Sequence, residues 1–528
     1  MRVDIFDSMD WLYPDSQVRE TPVRKARLEC ARGTRPGFQV LVTGVAAGTP
    51  LRFEVVATKQ SGPLADVELF ELLSVPVEEN TGINGFTHEG EKNEHVTRRA
   101  PFRVFDAVKP RGKESPAASG ANAILVQAPV PVRARPGVYF AMLKVQAGRD
   151  EVELPVELRV HKATVPARGT LKVTNWFSVE LMAERHSLKP LSAAHWKMIR
   201  RYADMMVRNR QSMFWAPMHF VAARKGADGR WRFNFSRWER LVRTFLDAGM
   251  TWIEGGHVAG RPDWNDPRFC VVGQGKMFAT DPEGYAYLAA LLMELRRVIE
   301  RNGWKARYAQ HVADEPHGPD IPDYRILCGI VRKFLPGVPL IDAIQNPAMG
   351  GTMDIWVPLN SQYELQRAEW EPHRAIGDEI WHYTCCVPGG KYLNRLLDQS
   401  LLRPRLLHWG NYVYDLTGFL HWGLNHYRPE QNPFEQSVVG HGGTNKLPAG
   451  DTHIVYPGTD GPWSSMRFEA MREGIEDYEL LRRVASGNRK RADAIARQVF
   501  RGFADYTEDA ALFRRTHAKL LEAADAAG

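Results

Sequence analysis

Cysteine is scarce in this sequence and nowhere arranged for structural use. Cys30, Cys270, Cys328, Cys385 and Cys386 are the five cysteines in 528 residues. They are odd in number and scattered, with one adjacent pair and no zinc-type spacing, which argues against a disulfide framework and a structural metal centre. Long apolar runs are missing as well. No stretch approaches the roughly 20 apolar residues of a membrane helix. The opening Met1-Arg-Val-Asp-Ile-Phe-Asp carries charge where a secretory leader needs an unbroken apolar centre. As written, the sequence predicts a cytoplasmic protein with reduced thiols, or a periplasmic or extracellular one if a leader has been trimmed. A large excess of either charge is also lacking, since the formal net charge is +7. The densest basic stretch, Arg482, Arg483, Arg489, Lys490 and Arg491, reads as the solvated face of a helical tail. Neither nucleic acid nor membrane is an expected partner. No Gly-x-Ser-x-Gly elbow, phosphate-binding loop or dinucleotide fingerprint occurs, so a serine elbow, nucleotide hydrolysis and hydride transfer lose their usual markers and no cofactor is expected. No repeat of fixed period is present.

What is present is enough chain for two or three hydrophobic cores. At 44% hydrophobic and 25% charged residues the composition is that of a globular protein, while 15 Trp and 16 Tyr are generous and suit sugar rings as well as core packing. Residues 1 to 165 read as short alternating strands separated by Gly- and Pro-rich turns, among them Phe38-Gln-Val-Leu-Val-Thr and Val152-Glu-Leu-Pro-Val-Glu-Leu-Arg-Val, and predict a β-sandwich with an exit linker beginning at Lys162. From 169 to 430 the rhythm changes to strand then helix, predicting a (β/α)8 TIM-type barrel. Its eight candidate strands begin near Leu171, Ser212, Thr251, Arg307, Pro339, Met353, Glu379 and Gly418. Helical periodicity marks 195–210, 235–248, 282–302, 324–334 and 392–402, with little helix between the strands at 339 and 353. Residues 431–528 predict a loop packed on the barrel and C-terminal helices, the first opening near Ser464 or Ser465. That helix places Phe468, Met471, Ile475, Tyr478 and Leu481 on one face, with Glu469, Arg472 and Glu476 pointing elsewhere. The fold class is therefore multidomain α+β.

The most telling stretch is Arg307-Tyr-Ala-Gln-His-Val-Ala-Asp314-Glu315-Pro316-His317, an apolar strand that runs into two carboxylates and stops at proline. Neighbouring carboxylates cannot ionise independently, so one is pushed toward staying protonated, as a general acid requires. A barrel of this type gathers its active site at the carboxyl ends of its strands. Those ends here supply Trp176, Trp215, His257, Asn346, Trp356, Tyr383, Trp422 and Asn425. Such groups lose hydration when buried without partners, so a cleft for a hydroxyl-rich ligand explains their clustering. Trp356 and Trp422 read equally as sugar walls and as core plugs, His311 as an inward layer residue, and Tyr383 as a barrel cap or a ligand contact. His219, His257, Asp314 and Glu315 lack the spacing that presents two imidazoles to one zinc, and no metal is expected.

Asp314-Glu315-Pro316, the run Gly418-Phe-Leu-His-Trp-Gly-Leu-Asn425, and the stretch from Tyr456-Pro-Gly-Thr-Asp-Gly-Pro through Arg467-Phe-Glu-Ala-Met-Arg472-Glu-Gly474-Ile-Glu-Asp477-Tyr478 together resemble glycoside hydrolase family 123 and its uncharacterised relatives, over roughly 170 to 485. The resemblance implies a retaining, exo-acting hydrolase of β-linked 2-acetamido sugars. It implies that Glu315 protonates the departing oxygen, and that Asp314 orients a substrate acetamido group whose carbonyl oxygen attacks the anomeric carbon. It further implies that Trp422 and Asn425 wall the sugar pocket and that Tyr383 holds the acetamido carbonyl. Both carboxylates face one cleft only if the backbone twists at Glu315. Arg467 and Glu469 read as an ion pair tying the last helix to the barrel rim. Two rival readings remain: a glycosidase on a non-acetamido glycan using Glu315 with Glu254 as nucleophile, and a non-catalytic glycan-binding protein.

Overall fold

The computed structural model describes residues 1–527. The chain is a mixed α/β multidomain protein with a sheet-rich N-terminal region, a curled layer of parallel strands and a helical C-terminus.

Two sheets make up the N-terminal region. One has the order Arg2–Asp7, Gly37–Thr43, Asn122–Gln127, Glu68–Val77 and Phe102–Pro110, and then accepts Pro462–Ser465 and Tyr456–Pro457 from far down the chain. The other runs Ala26–Arg32, Asp150–Thr164, Gly137–Ala147, Pro50–Val56 and Glu114–Pro116. Alternation drives the burial: Leu154, Val156, Leu158 and Val160 face a core shared with Val3, Val40, Val126 and Leu143, while Glu151, Pro155 and Arg159 face out. Strand structure continues through Thr164, so the linker starts later than Lys162.

All eight strands expected after residue 169 form, each shorter than its apolar run. They are Lys172–Asn175, Met213–Ala216, Trp252–Gly255, Tyr308–Gln310, Ile341–Ala343, Ile355–Val357, the pair Glu379–Ile380 and His382–Tyr383, and Gly418–His421. Every pairing between them is parallel. Helices Ala193–Arg208, Ser236–Ala248, Pro282–Arg301 and Ile321–Phe334 pack behind them, and no helix separates Ile341–Ala343 from Ile355–Val357. One expected helix is misplaced. Residues 392–401 are irregular, and the helix is Leu402–Val413. Asn394 donates to the carbonyls of Cys385 at 2.8 Å and Pro388 at 3.0 Å, while Arg395 donates to Asn175 at 2.7 Å, so side chains there hold a non-helical path. Pro404 then falls in the first turn of Leu402–Val413, where its missing N–H costs nothing.

Helix Met466–Ala496 opens on Ser465, whose hydroxyl accepts from the Phe468 N–H at 3.1 Å. Its first sixteen residues are buried on every side, not on one apolar face. The charges that point away from the apolar face are buried and paired. Arg472 bonds Glu469 at 3.1 Å and Glu476 at 2.9 Å, and Arg405 holds Asp477 through two bonds of 2.7 and 3.0 Å. Arg467 and Glu469 do not pair with each other. Arg467 bonds Asp106 of the N-terminal sheet at 2.9 Å, and Glu469 accepts from Gln127 of the same sheet at 2.9 Å. Gly474 is required by close approach, because a Cβ there would lie 2.2 Å from the Arg405 carbonyl oxygen of the helix it crosses.

Candidate active site

Asp314 and Glu315 follow the strand Tyr308–Gln310 at its carboxyl end, and both are half-buried. Asp342, from the next strand, fixes the approach by accepting the N–H groups of Val312 at 3.0 Å and Ala313 at 3.3 Å. Arg261, from the loop after Trp252–Gly255, donates to the carbonyls of Asp314 at 2.9 Å and Glu315 at 3.0 Å and pairs with Asp320 at 2.6 Å. Between these anchors the backbone turns left-handed at Glu315, with φ of +41°. Non-glycine residues avoid that region unless their surroundings hold them there.

The Glu315 carboxylate accepts a hydrogen bond from the Tyr383 hydroxyl, which in turn accepts one from the Gln345 amide. Burial, reinforced by the neighbouring Asp314, pushes the Glu315 carboxyl up to about 7 against the opposing pull of Tyr383, Arg261 and Gln345. A carboxylic acid poised there exchanges a proton at neutral pH, and Asp314 supplies a second acidic group beside it.

Beneath the doublet lies a buried charge relay. His311 donates from Nε2 to Glu254 at 2.7 Å and from Nδ1 to Asp342 at 2.5 Å. Burial alone would lower the imidazole, but Asp342 and Glu254 together raise it to about 9, so it is a cation held between two carboxylates. Glu254 has no exposed surface. Its Oε1 also accepts from the Trp176 indole at 2.8 Å, and its Oε2 from the Thr174 hydroxyl. Glu254 is thus bonded through both oxygens inside the protein. Asp342 likewise accepts from Tyr324 at 2.5 Å.

Trp176, Trp215 and His257 stand half-buried over this relay. The two indoles lie 4.6 Å apart, and His257 meets Trp215 at 4.9 Å and His311 at 5.0 Å. Trp422 is half-buried on another side, donating to Asp451 at 3.3 Å and packing with Cys386 and Leu447. Two expected ligands lie elsewhere. Trp356 is fully buried behind its strand, donating to Asp378 at 2.8 Å and packing on Trp370 and His373. Asn425 is fully buried with its side chain spent on the Ser178 backbone, at 2.9 and 3.0 Å. Asn346 closes a turn by accepting the Ala348 N–H at 2.9 Å.

His219 is exposed and paired with Glu180 at 2.9 Å. Among the described residues the atoms that come together as a metal would require belong to His257, His311 and Asp342, within 4.8 Å of one another. Metal ligation needs a neutral imidazole with a free lone pair. Both His311 nitrogens are already bonded to carboxylates, Asp342 and Glu254, so the group fits a cation relay better than a metal. Asp342 and Arg261 were not foreseen. An aspartate amid Pro339-Leu-Ile-Asp-Ala-Ile was a readable signal of a buried polar role. Arg261 carried none.

Residues 176–484 match the model of "Glycoside hydrolase 123, catalytic domain". No curated protein matches in sequence. Among solved structures, a family 123 glycoside hydrolase from Clostridium perfringens, described for glycolipid glycan hydrolysis, superposes over 100% of this chain and 98% of its own at a TM-score of 0.76 and 12% identity. A GH39 β-xylosidase from Caulobacter crescentus covers 59% of this chain and 72% of its own at a TM-score of 0.38 and 9% identity.

Proposed function

We propose, from the premise that this chain belongs to glycoside hydrolase family 123 and hydrolyses glycosyl bonds, that it removes terminal β-linked 2-acetamido sugars with retention and by substrate assistance. Glu315 donates its proton to the departing glycosidic oxygen and later takes one from water. Asp314 orients the acetamido group and, as an anion, balances the charge that develops on its nitrogen while the carbonyl oxygen closes on the anomeric carbon. Trp176, Trp215, His257, Tyr383 and Trp422 supply the walls. The observation that carries this reading is the Asp314-Glu315 doublet, turned left-handed at Glu315 and engaged by Tyr383. The occupied oxygens of Glu254 favour it over an enzyme nucleophile.

The reading includes the architecture. The eight strands close into a (β/α)8 cylinder, supported by the parallel bridge Gln310↔Leu340 and by the Ser212 N–H bonding the Val173 carbonyl at 3.2 Å. A β-sandwich of residues 1–165 precedes it, and residues 431–527 pack against both.

Nitrophenyl β-glycosides with and without the 2-acetamido group test the reading. Turnover is expected only with that group, with inhibition by a thiazoline mimic of the cyclised intermediate. Glu315→Gln is expected to retain ligand and lose roughly 10² to 10⁴ in kcat. Turnover confined to sugars lacking the acetamido group would remove the assisted mechanism.

A further inference from the structure

Trp264 is 54% exposed on the loop that follows Trp252–Gly255, an unusual position for an indole. Its inner face is built up in layers. The Arg261 guanidinium lies 4.2 Å from the Trp264 ring centre and 5.6 Å from that of buried Phe269. The His317 ring stacks on Trp264 at 4.7 Å with an interplanar angle of 24°. Arg261 Nη1 also bonds His317 Nδ1 at 3.0 Å. Ordinary bond lengths then keep the Arg261 Cζ and the His317 ring centre within about 6 Å of each other. Opposite faces of the indole would separate them by both stacking distances together, which is more than that. Arg261 and His317 therefore share one face of Trp264, and the other is free.

The residues that brace this indole are those that hold the acid doublet. Arg261 grips the carbonyls of Asp314 and Glu315, its side chain is 5% exposed, and His317 follows Glu315 by two positions. A general acid stands beside the leaving group, because it protonates the oxygen that departs. Tyr383 reaches the Glu315 carboxylate, while Trp176, Trp215 and His257 form a separate cluster over His311. None of those rings touches Trp264. The exposed indole is thus braced by the residues that hold the acid doublet, apart from the Trp176, Trp215 and His257 cluster.

We propose that Trp264, set on the stack of buried Arg261 and half-buried His317, is the platform for the leaving-group sugar, stacking against the C–H face of a pyranose on the reducing side of the scissile bond. The indole offers a flat apolar surface held rigid by a cation and a second ring, which lowers the ordering cost of stacking. The inference rests on the glycosidase reading above. It adds that the substrate is at least a disaccharide and that Trp264 contributes to choosing it.

The test compares kcat/KM of the full-length wild type, Trp264→Ala and Trp264→Phe on two kinds of substrate. One is a methyl β-glycoside of a 2-acetamido sugar. The other is a set of linkage isomers of a disaccharide with the same terminal sugar. Both leave as alcohols once Glu315 has protonated the glycosidic oxygen, so they differ in the second ring. The wild type is expected to prefer at least one disaccharide. Trp264→Ala is expected to lose about tenfold on that disaccharide and little on the methyl glycoside, with Trp264→Phe recovering most of the loss. Equal losses on both substrates would mean that Trp264 only steadies Arg261, and would overturn the platform, as would an undiminished disaccharide rate. A wild type that turns over neither substrate would overturn the glycosidase reading and this inference with it, an outcome distinct from the other two.

Discussion

In the proposed mechanism Glu315 donates only while its carboxyl keeps its proton, and burial beside Asp314 sets that limit at about 7. The kcat/KM of the free enzyme is therefore expected to be sustained below that pH and to fall as pH rises through it. The Tyr383 hydroxyl donates to the ionised carboxylate and so pulls the value down. Tyr383→Phe removes that donor, raises the carboxyl further and moves the alkaline limb to higher pH, together with a lower rate. A pH profile of the variant with an unmoved limb would show that the hydroxyl does not govern Glu315. The doublet itself was legible because two adjacent acids before a proline at a strand end form a local pattern. Its partners were not: Tyr383 lies 68 positions from Glu315 and Asp342 lies 31 from His311, so nothing in the neighbouring sequence marks them as contacts.

Strands here could be read because apolar residues recur with the period of the pleat, whichever partners they later find. The helices showed where such reading ends. Phe468, Met471 and Ile475 marked one buried face of Met466–Ala496, but Leu402–Val413 covers Glu473 and Asp477 through Arg405, and the N-terminal region covers Glu469 and Arg472 through Gln127 and Arg35. Periodicity records where apolar residues are, not whether charges have partners. The stretch from Arg467 to Tyr478, which carries part of the family resemblance, is thus a packing junction. Arg405→Ala is expected to destabilise the fold by about 3–5 kcal/mol in denaturant unfolding, since it leaves Asp477 buried without its cation. Despite the cost of burial, Arg472, Arg208 and the donors Gln127 and Ser464 hold the Glu469 carboxyl down at about 2, against an ordinary 4.5. A carboxyl depressed by folding stabilises the protein above its unfolded value and loses that stabilisation as pH falls toward the folded one. Stability should therefore decline between pH 4.5 and about 2, and more shallowly in Glu469→Gln.

The N-terminal sheet and the parallel layer are bound by a segment that comes late in the chain. Pro462–Ser465 pairs with Phe102–Pro110 as a strand of the first sheet, and Arg467 two residues on is fully buried against Asp106. Residues 1–165 expressed alone would lose that strand and leave Asp106 uncompensated. Full-length protein is accordingly expected to unfold in one transition, with tryptophan fluorescence and far-ultraviolet dichroism coincident, and the isolated fragment to be unstable. Two separated transitions would show that the junction does not couple the regions. No described helix is long and apolar enough to cross a membrane.

Local pattern alone was sufficient for the strands, most of the helices, the acid doublet and the aromatic strand ends, because each depends on residues a few positions apart. Tertiary structure alone decided that Glu254 and Asp342 bracket His311, that Trp356 and Asn425 turn inward, that Tyr383 meets Glu315, and that exposed Trp264 stacks on Arg261 and His317. Those outcomes depend on which distant groups share a small desolvated volume, and burial prices a charge or an amide by the partners found there, which no run of neighbouring residues encodes.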